Sequence, residues 1–219
     1  MLSFIYAPTG SLPSVSSALP AFKVALDLSF SKNHFSFALS VGVPVTIIRP
    51  GTIVGHTATG AANATDYAPS IISAFAGMRE YVGSDGRFDL NPVDMVARAS
   101  VLLSLQSSSK DLRVFHLVDA CKASNSQVGR AAAGAEGREL SFAEFKASVL
   151  ARLDSGSAAN GAEMLKPFLS FLETDAFFAV QRPYHSSATV AALHQLGLDW
   201  QCDSSDCVKR IVSFLKHRQ

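Results

Sequence analysis

The sequence lacks the glycine pattern that cradles the phosphates of a dinucleotide, since its 14 glycines nowhere form GxGxxG or GxxGxxG. It carries little charge: 17% of its residues are charged and the formal net charge is +1, which offers no basic surface for nucleic acid. No apolar run reaches the ~18 residues that a membrane span needs, and the N-terminus has no basic region ahead of an apolar core. The 48% of hydrophobic residues is typical of a globular protein.

Cysteine is scarce, with only Cys121, Cys202 and Cys207 in the chain. An odd number of cysteines without paired CxxC spacing is not the pattern of a structural zinc site, and no ligand spacing is formed by His34, His185, His194 and His217. We therefore expect no metal site. We expect the three cysteines to be reduced thiols in a cytoplasmic protein, and Cys202 and Cys207 to be unreactive.

The stretch that organises the chain is Val43–Gly60, VPVTIIRPGTIVGHTATG. Its β-branched run, Val43–Ile48, predicts a strand buried on both faces. The run breaks at Arg49-Pro50-Gly51 and continues into a loop rich in Gly, Thr and His. Ligands of open α/β sheets bind outside the carboxyl ends of the strands, so we expect a site here. An ordinary strand and turn is the alternative.

Two further segments predict strands, Leu2–Tyr6 and Arg113–Val118. Helical spacing of apolar residues over Phe22–Val41 makes strand, helix and the Val43 strand one crossover unit of a parallel sheet. A later helix is predicted with Asn91 as its N-cap and Pro92 at its first position.

The intervening segments give weaker patterns. Ala61–Leu90 predicts a long loop with only weak helical character near its middle, and Ala123–Gly137 predicts a small, polar linker. Beyond the linker, Ser141 and Glu144 form a capping box. Short helices are then predicted over Glu163–Leu172, Ser187–Leu196 and Ser204–Lys216.

Five motifs in order, YAPTGS, SK on a helix, GVPVTIIRPGTIVGHTATG, NPVDMVARA and VFHLV, resemble the later half of an extended short-chain dehydrogenase/reductase. The closest branch is that of the thioester reductases of male-sterility type. These include the terminal reductase domains of polyketide and non-ribosomal peptide synthetases and the carboxylic acid and aminoadipate reductases. The resemblance implies an α/β fold with the C-terminal half of a Rossmann-like parallel sheet. Residues 1–122 would form a partial NAD(P)-binding domain and residues 123–219 a small, mostly helical substrate-covering subdomain.

The resemblance also implies a function, the NADPH-dependent reduction of a carrier-bound acyl thioester to an aldehyde or alcohol. Hydride addition builds negative charge on the carbonyl oxygen, which a hydroxyl donor stabilises. Thr9 matches that hydroxyl, and Lys32 matches the family's catalytic and ribose-binding lysine. An acyl or peptidyl carrier protein, and possibly an upstream half of the same domain, would be the partners.

The remaining site residues also follow from the resemblance. The residues implied to bind cofactor are Lys32, Pro50, Gly51, Thr52 and Ile53. The residues implied to bind substrate are Gly55, His56, Asn63 and Asp66. Simpler roles stay open: Lys32 as a solvated helix lysine, Thr9 as a turn residue and His56 as a hydrogen-bonding residue of its own loop.

Two features depart from the family pattern. A tyrosine should stand four residues before Lys32, but Leu28 occupies that position and leucine cannot donate a proton. The second is the missing phosphate loop. Three hypotheses therefore remain: a fragment or degenerate copy of a thioester reductase, a non-catalytic binding or interaction module, and another extended short-chain enzyme such as a sugar-nucleotide epimerase.

Overall fold

The computed structural model describes residues 4–6, 45–106, 112–156, 161–173 and 185–217. The strands are β1 Phe4–Tyr6, β2 Val45–Pro50, β3 Ile53–Val54, β4 Glu80–Val82, β5 Arg87–Pro92, β6 Leu112–Leu117, β7 Cys121–Ser124 and β8 Arg138–Leu140. The α-helices are α1 Tyr67–Met78, α2 Val93–Leu105, α3 Asn125–Ala133, α4 Phe142–Asp154, α5 Ser187–Gln195 and α6 Ser204–Lys216, and a 3₁₀ helix covers Ala162–Leu172.

The chain divides into two compact units. Unit 1 contains Met1–Gly51, Val96–Val118 and Tyr184–Trp200, and unit 2 contains Thr52–Met95, Asp119–Pro183 and Gln201–Gln219. Among the described residues, no helix is both long enough and apolar enough to cross a bilayer.

Unit 1 contains a three-stranded sheet in the order β1-β2-β6. The predicted central strand is confirmed for Val45–Ile48 and continues to Pro50, and successive residues from Val45 to Ile48 are buried on both faces of the sheet. β2 pairs in parallel with β6, so that Ile47 lies opposite Val114. The indole of Trp200 donates a hydrogen bond of 2.8 Å to the carbonyl oxygen of Val118, just beyond β6.

The prediction of a parallel crossover between the first two strands is wrong. β1 pairs antiparallel with β2, with Phe4 opposite Ile48 and Tyr6 opposite Thr46. Strand direction depends on the path of the connecting chain as well as on the strand residues. The predicted helix Phe22–Val41, which was expected to set that path, lies outside the described residues.

Unit 2 surrounds a single apolar core. β5 pairs in parallel with β3 and antiparallel with β7, and a separate parallel pair is formed by β4 and β8. Phe75 of α1 lies at the centre, with its ring edge-to-face to Phe145 at 5.5 Å and to Tyr81 at 6.4 Å. α6 adds its buried face, which consists of Cys207, Val208, Ile211 and Leu215.

Three sequence predictions within unit 2 are wrong. Ala61–Leu90 is no long loop, since it contains α1, β4 and most of β5. Ala123–Gly137 is no linker, since it contains the end of β7 and all of α3, which begins at a capping box of Ser124 and Gln127. Asn91 caps no helix, because it still pairs within β5 and α2 begins only at Val93. These segments are rich in small and polar residues, which is typical of loops, but the tertiary structure buries many of them in helices and strands.

Other local predictions are confirmed. Ser141 and Glu144 form the predicted capping box at the start of α4. The last helix, Ser204–Lys216, has the predicted bounds.

A buried carboxylate joins the β4–β8 pair to α4. Glu80 is 7% exposed and accepts a hydrogen bond of 2.6 Å from Arg138 and a hydrogen bond from Ser148, while Arg152 lies at 3.4 Å. Burial alone would raise the pKa of Glu80, but Ser148 and the two arginines outweigh burial and lower it. Glu80 therefore stays ionised at neutral pH and ties three elements together.

Candidate functional site

The segment after Gly51 forms a closed turn, which we call the glycine loop, residues Gly55–Gly60. The amide of Gly60 donates to the carbonyl oxygen of His56 at 2.8 Å, and the His56 amide donates to Ala61 at 3.0 Å. The Nδ1 atom of His56 accepts from the amide of Ala58 at 3.0 Å. His56 thus hydrogen-bonds its own loop, which is the simpler role left open by the sequence.

Both terminal glycines are required because the glycine loop lies directly against α6. An added Cβ at Gly55 would lie 2.7 Å from the Ile211 side chain. Gly60 has a φ of +69°, and an added Cβ would overlap the backbone carbonyl of Arg210. The Arg210 guanidinium also donates to the Ala58 carbonyl at 3.1 Å. The GH…TG spacing therefore encodes a close approach of two backbones.

A carboxylate at the start of α2 holds the other side of the glycine loop. Asp94 accepts from the Thr57 amide at 2.9 Å and from the Thr57 hydroxyl at 2.6 Å. Burial raises the pKa of Asp94, but these two bonds, with His56 nearby, outweigh burial and lower it. The Nδ1 atom of His56 lies 4.0 Å from the carboxylate. Asp94 is thus an ionised acceptor in the first turn of α2.

A second carboxylate, which the sequence analysis did not identify, holds Thr52 at the start of the segment that leads into the glycine loop. Asp89 of β5 accepts from the Thr52 amide at 3.0 Å, from the Asp119 amide at 2.8 Å and from the Asn91 side chain at 2.7 Å. Burial, with a smaller contribution from the Asp119 charge, outweighs these bonds and raises the pKa of Asp89. The alternation of polar residues in RFDLNP was the available signal, since a strand places Asp89 and Asn91 on one face.

Asn91 completes this arrangement. Its side-chain nitrogen donates to the Thr52 carbonyl at 3.2 Å, and its side-chain oxygen accepts from the Ala120 amide at 3.1 Å. The backbone amide of Asn91 also donates to Thr52, at 2.9 Å. Asn91 is therefore a fully buried strand residue and not the predicted helix cap. Its hydrogen bonds hold Thr52, which lies just after the end of β2.

Asn63 and Asp66 have local structural bonds. The side-chain oxygen of Asn63 accepts from the amide and hydroxyl of Thr65 at 3.2 and 3.0 Å. Asp66 is the N-cap of α1, and its carboxylate accepts from the Tyr67 amide at 2.8 Å. Both side chains are exposed. They therefore lie on a separate turn that leads from the glycine loop into α1.

The remaining predicted site residues fall into two groups. Pro50 ends β2, the Gly51 amide donates to the Leu117 carbonyl at 2.9 Å, and Ile53 pairs with Asn91. Thr9 and Lys32, the predicted catalytic residues, lie outside the described residues, as does Leu28.

The prediction of reduced cysteines is wrong for two of them. Cys121 and Cys202 form a disulfide across 81 residues, with their Cα atoms 4.9 Å apart. Sequence spacing did not show this pairing, because only the fold brings the two segments together. Cys207 is a buried free thiol. Burial, with a smaller contribution from Asp94, raises its pKa to about 11, so this thiol is protonated at neutral pH.

The fold belongs to the class of Rossmann-like reductase domains. The chain is similar to the terminal reductase domain of the myxalamid synthetase pathway, with a TM-score of 0.67 and 25% identity over 83% of this chain and 46% of that one. It has the same fold as the reductase domain of a non-ribosomal peptide synthetase from Mycobacterium tuberculosis, with a TM-score of 0.64 and 19% identity over 82% of this chain and 47% of that one.

Sequence comparisons locate the likeness within the chain. The family model NAD_binding_4, male sterility protein, matches residues 37–100. A glycine betaine reductase of Emericella nidulans is 37% identical over 79 residues, which is 36% of this chain and 6% of that protein. An aldehyde reductase of Aspergillus flavus is 35% identical over 90 residues, which is 40% of this chain and 8% of that protein.

These findings confirm the resemblance to the thioester-reductase, male-sterility-type branch of the extended short-chain reductases. The chain spans less than half the length of the solved reductase domains and less than a tenth of the curated relatives that it matches. This partial coverage fits the predicted C-terminal half of such a domain.

Proposed function

We propose that this chain supplies the later half of an NADPH-dependent reductase domain that acts on a carrier-bound acyl thioester. The observation that carries the proposal is the glycine loop, which lies inside the family-matched stretch 37–100 and is held by both Asp94 and α6. Residues 1–122 would contribute the cofactor side and residues 123–219 would cover the substrate. The fold class of the similar synthetase reductase domains supports the same assignment.

The proposed reaction is balanced by one hydride and one proton. Hydride adds to the thioester carbonyl carbon, the carbon–sulfur bond breaks, and the carrier leaves as a thiol while an aldehyde is released; a second hydride and proton would give the alcohol. The Thr9 hydroxyl would stabilise the negative oxygen, and Lys32 would hold the ribose of the nicotinamide cofactor. Leu28 stands where the proton donor is expected, so this copy is proposed to be degenerate or incomplete.

The glycine loop would contact the substrate side of the reaction. Its His56 side chain is 40% exposed, whereas Gly55 and Gly60 are buried against α6. A rigid loop with accessible polar side chains, those of His56 and Thr59, can position a pantetheine or acyl group. Asn63 and Asp66 would border the same region, with their carbonyl and carboxylate oxygens as acceptors.

The experiment is an NMR titration of the isotopically labelled 219-residue chain with an acyl-phosphopantetheine thioester, and separately with UDP-glucose. We expect the thioester to shift the amide resonances of Gly55–Gly60 and UDP-glucose to shift none. A Gly60→Ala variant should lose the response, and Gly197→Ala, a matched glycine with a φ of 71° and no neighbour near its added Cβ, should keep it.

Each alternative predicts another result. Binding of UDP-glucose at the glycine loop would support a sugar-nucleotide enzyme, against which the GH…TG pattern argues. Binding of neither compound by the folded chain would contradict the proposal and favour a non-catalytic module. Addition of NADPH with the thioester, followed by aldehyde trapping, then tests turnover, which we expect to be undetectable for the unmodified chain.

A further inference from the structure

Three cysteine sulfurs converge in unit 2 although the sequence spacing gave no sign of a site. The Sγ atoms of Cys121, Cys202 and Cys207 all lie within 4.8 Å of one another. Among the described residues this is the one group of three or more His, Cys, Asp or Glu side chains with such spacing. The convergence joins the first residue of β7, the segment before α6 and the first turn of α6.

Backbone pairing and hydrogen bonds hold the main chain at each of the three cysteines. Cys121 pairs with Leu90 in the antiparallel β5–β7 ladder. The Cys202 amide donates to the Ala120 carbonyl at 3.0 Å, and the Cys207 amide donates to the Asp203 carbonyl at 3.0 Å. Three ligands on three ordered backbone segments are preorganised, so little conformational entropy would be lost when they bind one atom.

Solvent reaches the cluster at one of its three cysteines. Cys121 and Cys207 are buried, whereas Cys202 is partly exposed and gives access from solvent.

We propose that these three cysteines form a redox-gated binding site for a soft, three-coordinate metal ion of the Cu(I) type. The Cys121–Cys202 disulfide is the closed state of the site. A dithiol reductant supplies two electrons and two protons, which break the sulfur–sulfur bond and leave three thiols while the reductant becomes a disulfide. The ion then binds the three sulfurs and displaces their protons.

The ligand set decides which ion fits. Thiolates select soft ions such as Cu(I), whereas Mg²⁺ and Ca²⁺ require oxygen ligands. Structural zinc sites take four protein ligands, and the described residues place no fourth ligand in this group. A three-sulfur site therefore matches Cu(I) better than zinc.

The test uses the full 219-residue chain, reduced under anaerobic conditions and titrated with Cu(I) buffered by the chelator bicinchoninate. We expect one Cu(I) per chain to be withdrawn from the chelator. We also expect three thiols to be protected from N-ethylmaleimide, which intact-protein mass spectrometry counts on the wild-type chain. The oxidised protein, with one free thiol, should withdraw no Cu(I).

Two variants separate a three-sulfur site from a simple pair. Cys207→Ser should lower the Cu(I) affinity by at least about tenfold, since it removes a direct ligand. Ser205→Ala, in the same first turn of α6, should leave the affinity unchanged. Protection of only two thiols, equal affinity in the Cys207→Ser chain, or failure of the reduced wild-type chain to compete with the chelator would each overturn the proposal.

Discussion

Thr57 and Asp94 are joined by two hydrogen bonds that meet on one carboxylate: the Thr57 hydroxyl donates at 2.6 Å and its amide at 2.9 Å. The pair links the middle of the glycine loop to the first turn of α2, across 37 positions of sequence. Bonds to an ionised acceptor are stronger than those between neutral groups. This pair therefore helps to hold the glycine loop in its conformation.

Replacement of Thr57 by valine tests that role. The change keeps the side-chain shape and the hydrogen bond from the Thr57 amide to Asp94, but it removes the hydroxyl donor. We therefore expect the free energy of unfolding to fall by about 1.5–3 kcal/mol. Urea unfolding followed by circular dichroism measures the change. Thr59→Val is the matched control, since its exposed hydroxyl only accepts from the Ala61 amide at 3.2 Å, and it should cost less than about 0.5 kcal/mol. Equal losses in the two variants would contradict the assigned role.

Replacement of Gly60 by alanine tests the contact with α6. Alanine is strained at a φ of +69°, and its Cβ would also overlap the Arg210 carbonyl. Gly197→Ala has nearly the same φ, 71°, but no atom within 4 Å of its Cβ, so it reports the backbone strain alone. We expect thermal unfolding to show a loss of about 1 kcal/mol for Gly197→Ala and at least about twice that for Gly60→Ala. Similar losses in the two variants would show that α6 shifts to accommodate the added Cβ without any further loss of stability.

Replacement of Glu80 by glutamine tests the buried ion pairs. The folded state lowers the pKa of Glu80, so its contribution is fully present above the unfolded pKa, near the ordinary 4.5, and is lost as the pH falls through the folded pKa. At pH 7 the variant should lose about 1.5–3 kcal/mol of unfolding free energy, a difference that shrinks below pH 4.5.

The control for Glu80 is Glu136→Gln. Glu136 pairs with Arg79 at 2.9 Å, but its side chain is 82% exposed. Exposed pairs contribute less than about 1 kcal/mol, so this variant should follow the wild-type pH profile. Urea unfolding at pH 7, 5 and 3.5 compares the three proteins. A Glu80→Gln difference that is independent of pH would exclude the ionised carboxylate as its cause.

Binding of NADPH by the chain alone should be weak or absent. The sequence contains no GxGxxG or GxxGxxG, and the cofactor phosphates need the backbone amides of such a loop at a helix N-terminus. Titration calorimetry of the 219-residue chain with NADPH measures this directly. A micromolar dissociation constant would show that the chain carries a phosphate site of another kind.

Several elements could be predicted from the sequence alone because they depend on interactions between residues that are close together in the chain. The Ser141–Glu144 capping box and the bounds of Ser204–Lys216 depend on interactions between near neighbours and on helical spacing of apolar residues. The β-branched run before Pro50 predicts a buried strand for the same reason. The family motif is equally local, since its residues are consecutive along the chain.

Other features depend on partners that are distant in sequence, and only the tertiary structure decided them. Asn91 is a helix cap by sequence pattern, yet its bonds to Thr52 and Ala120 keep it in a strand. The antiparallel pairing of the first strand also depends on the path of the chain and not on the strand's own residues.

The cysteines show the same limit most clearly. Their sequence spacing predicts separate reduced thiols, but the hydrogen bond from the Cys202 amide to the Ala120 carbonyl lies beside Cys121, and the first turn of α6 adds Cys207. Side chains that are 81 positions apart meet only when the core of unit 2 is formed. The sequence by itself determined the Ser141–Glu144 cap, the central strand and the family motif, whereas packing of distant segments decided which sulfur and carboxylate groups share one environment.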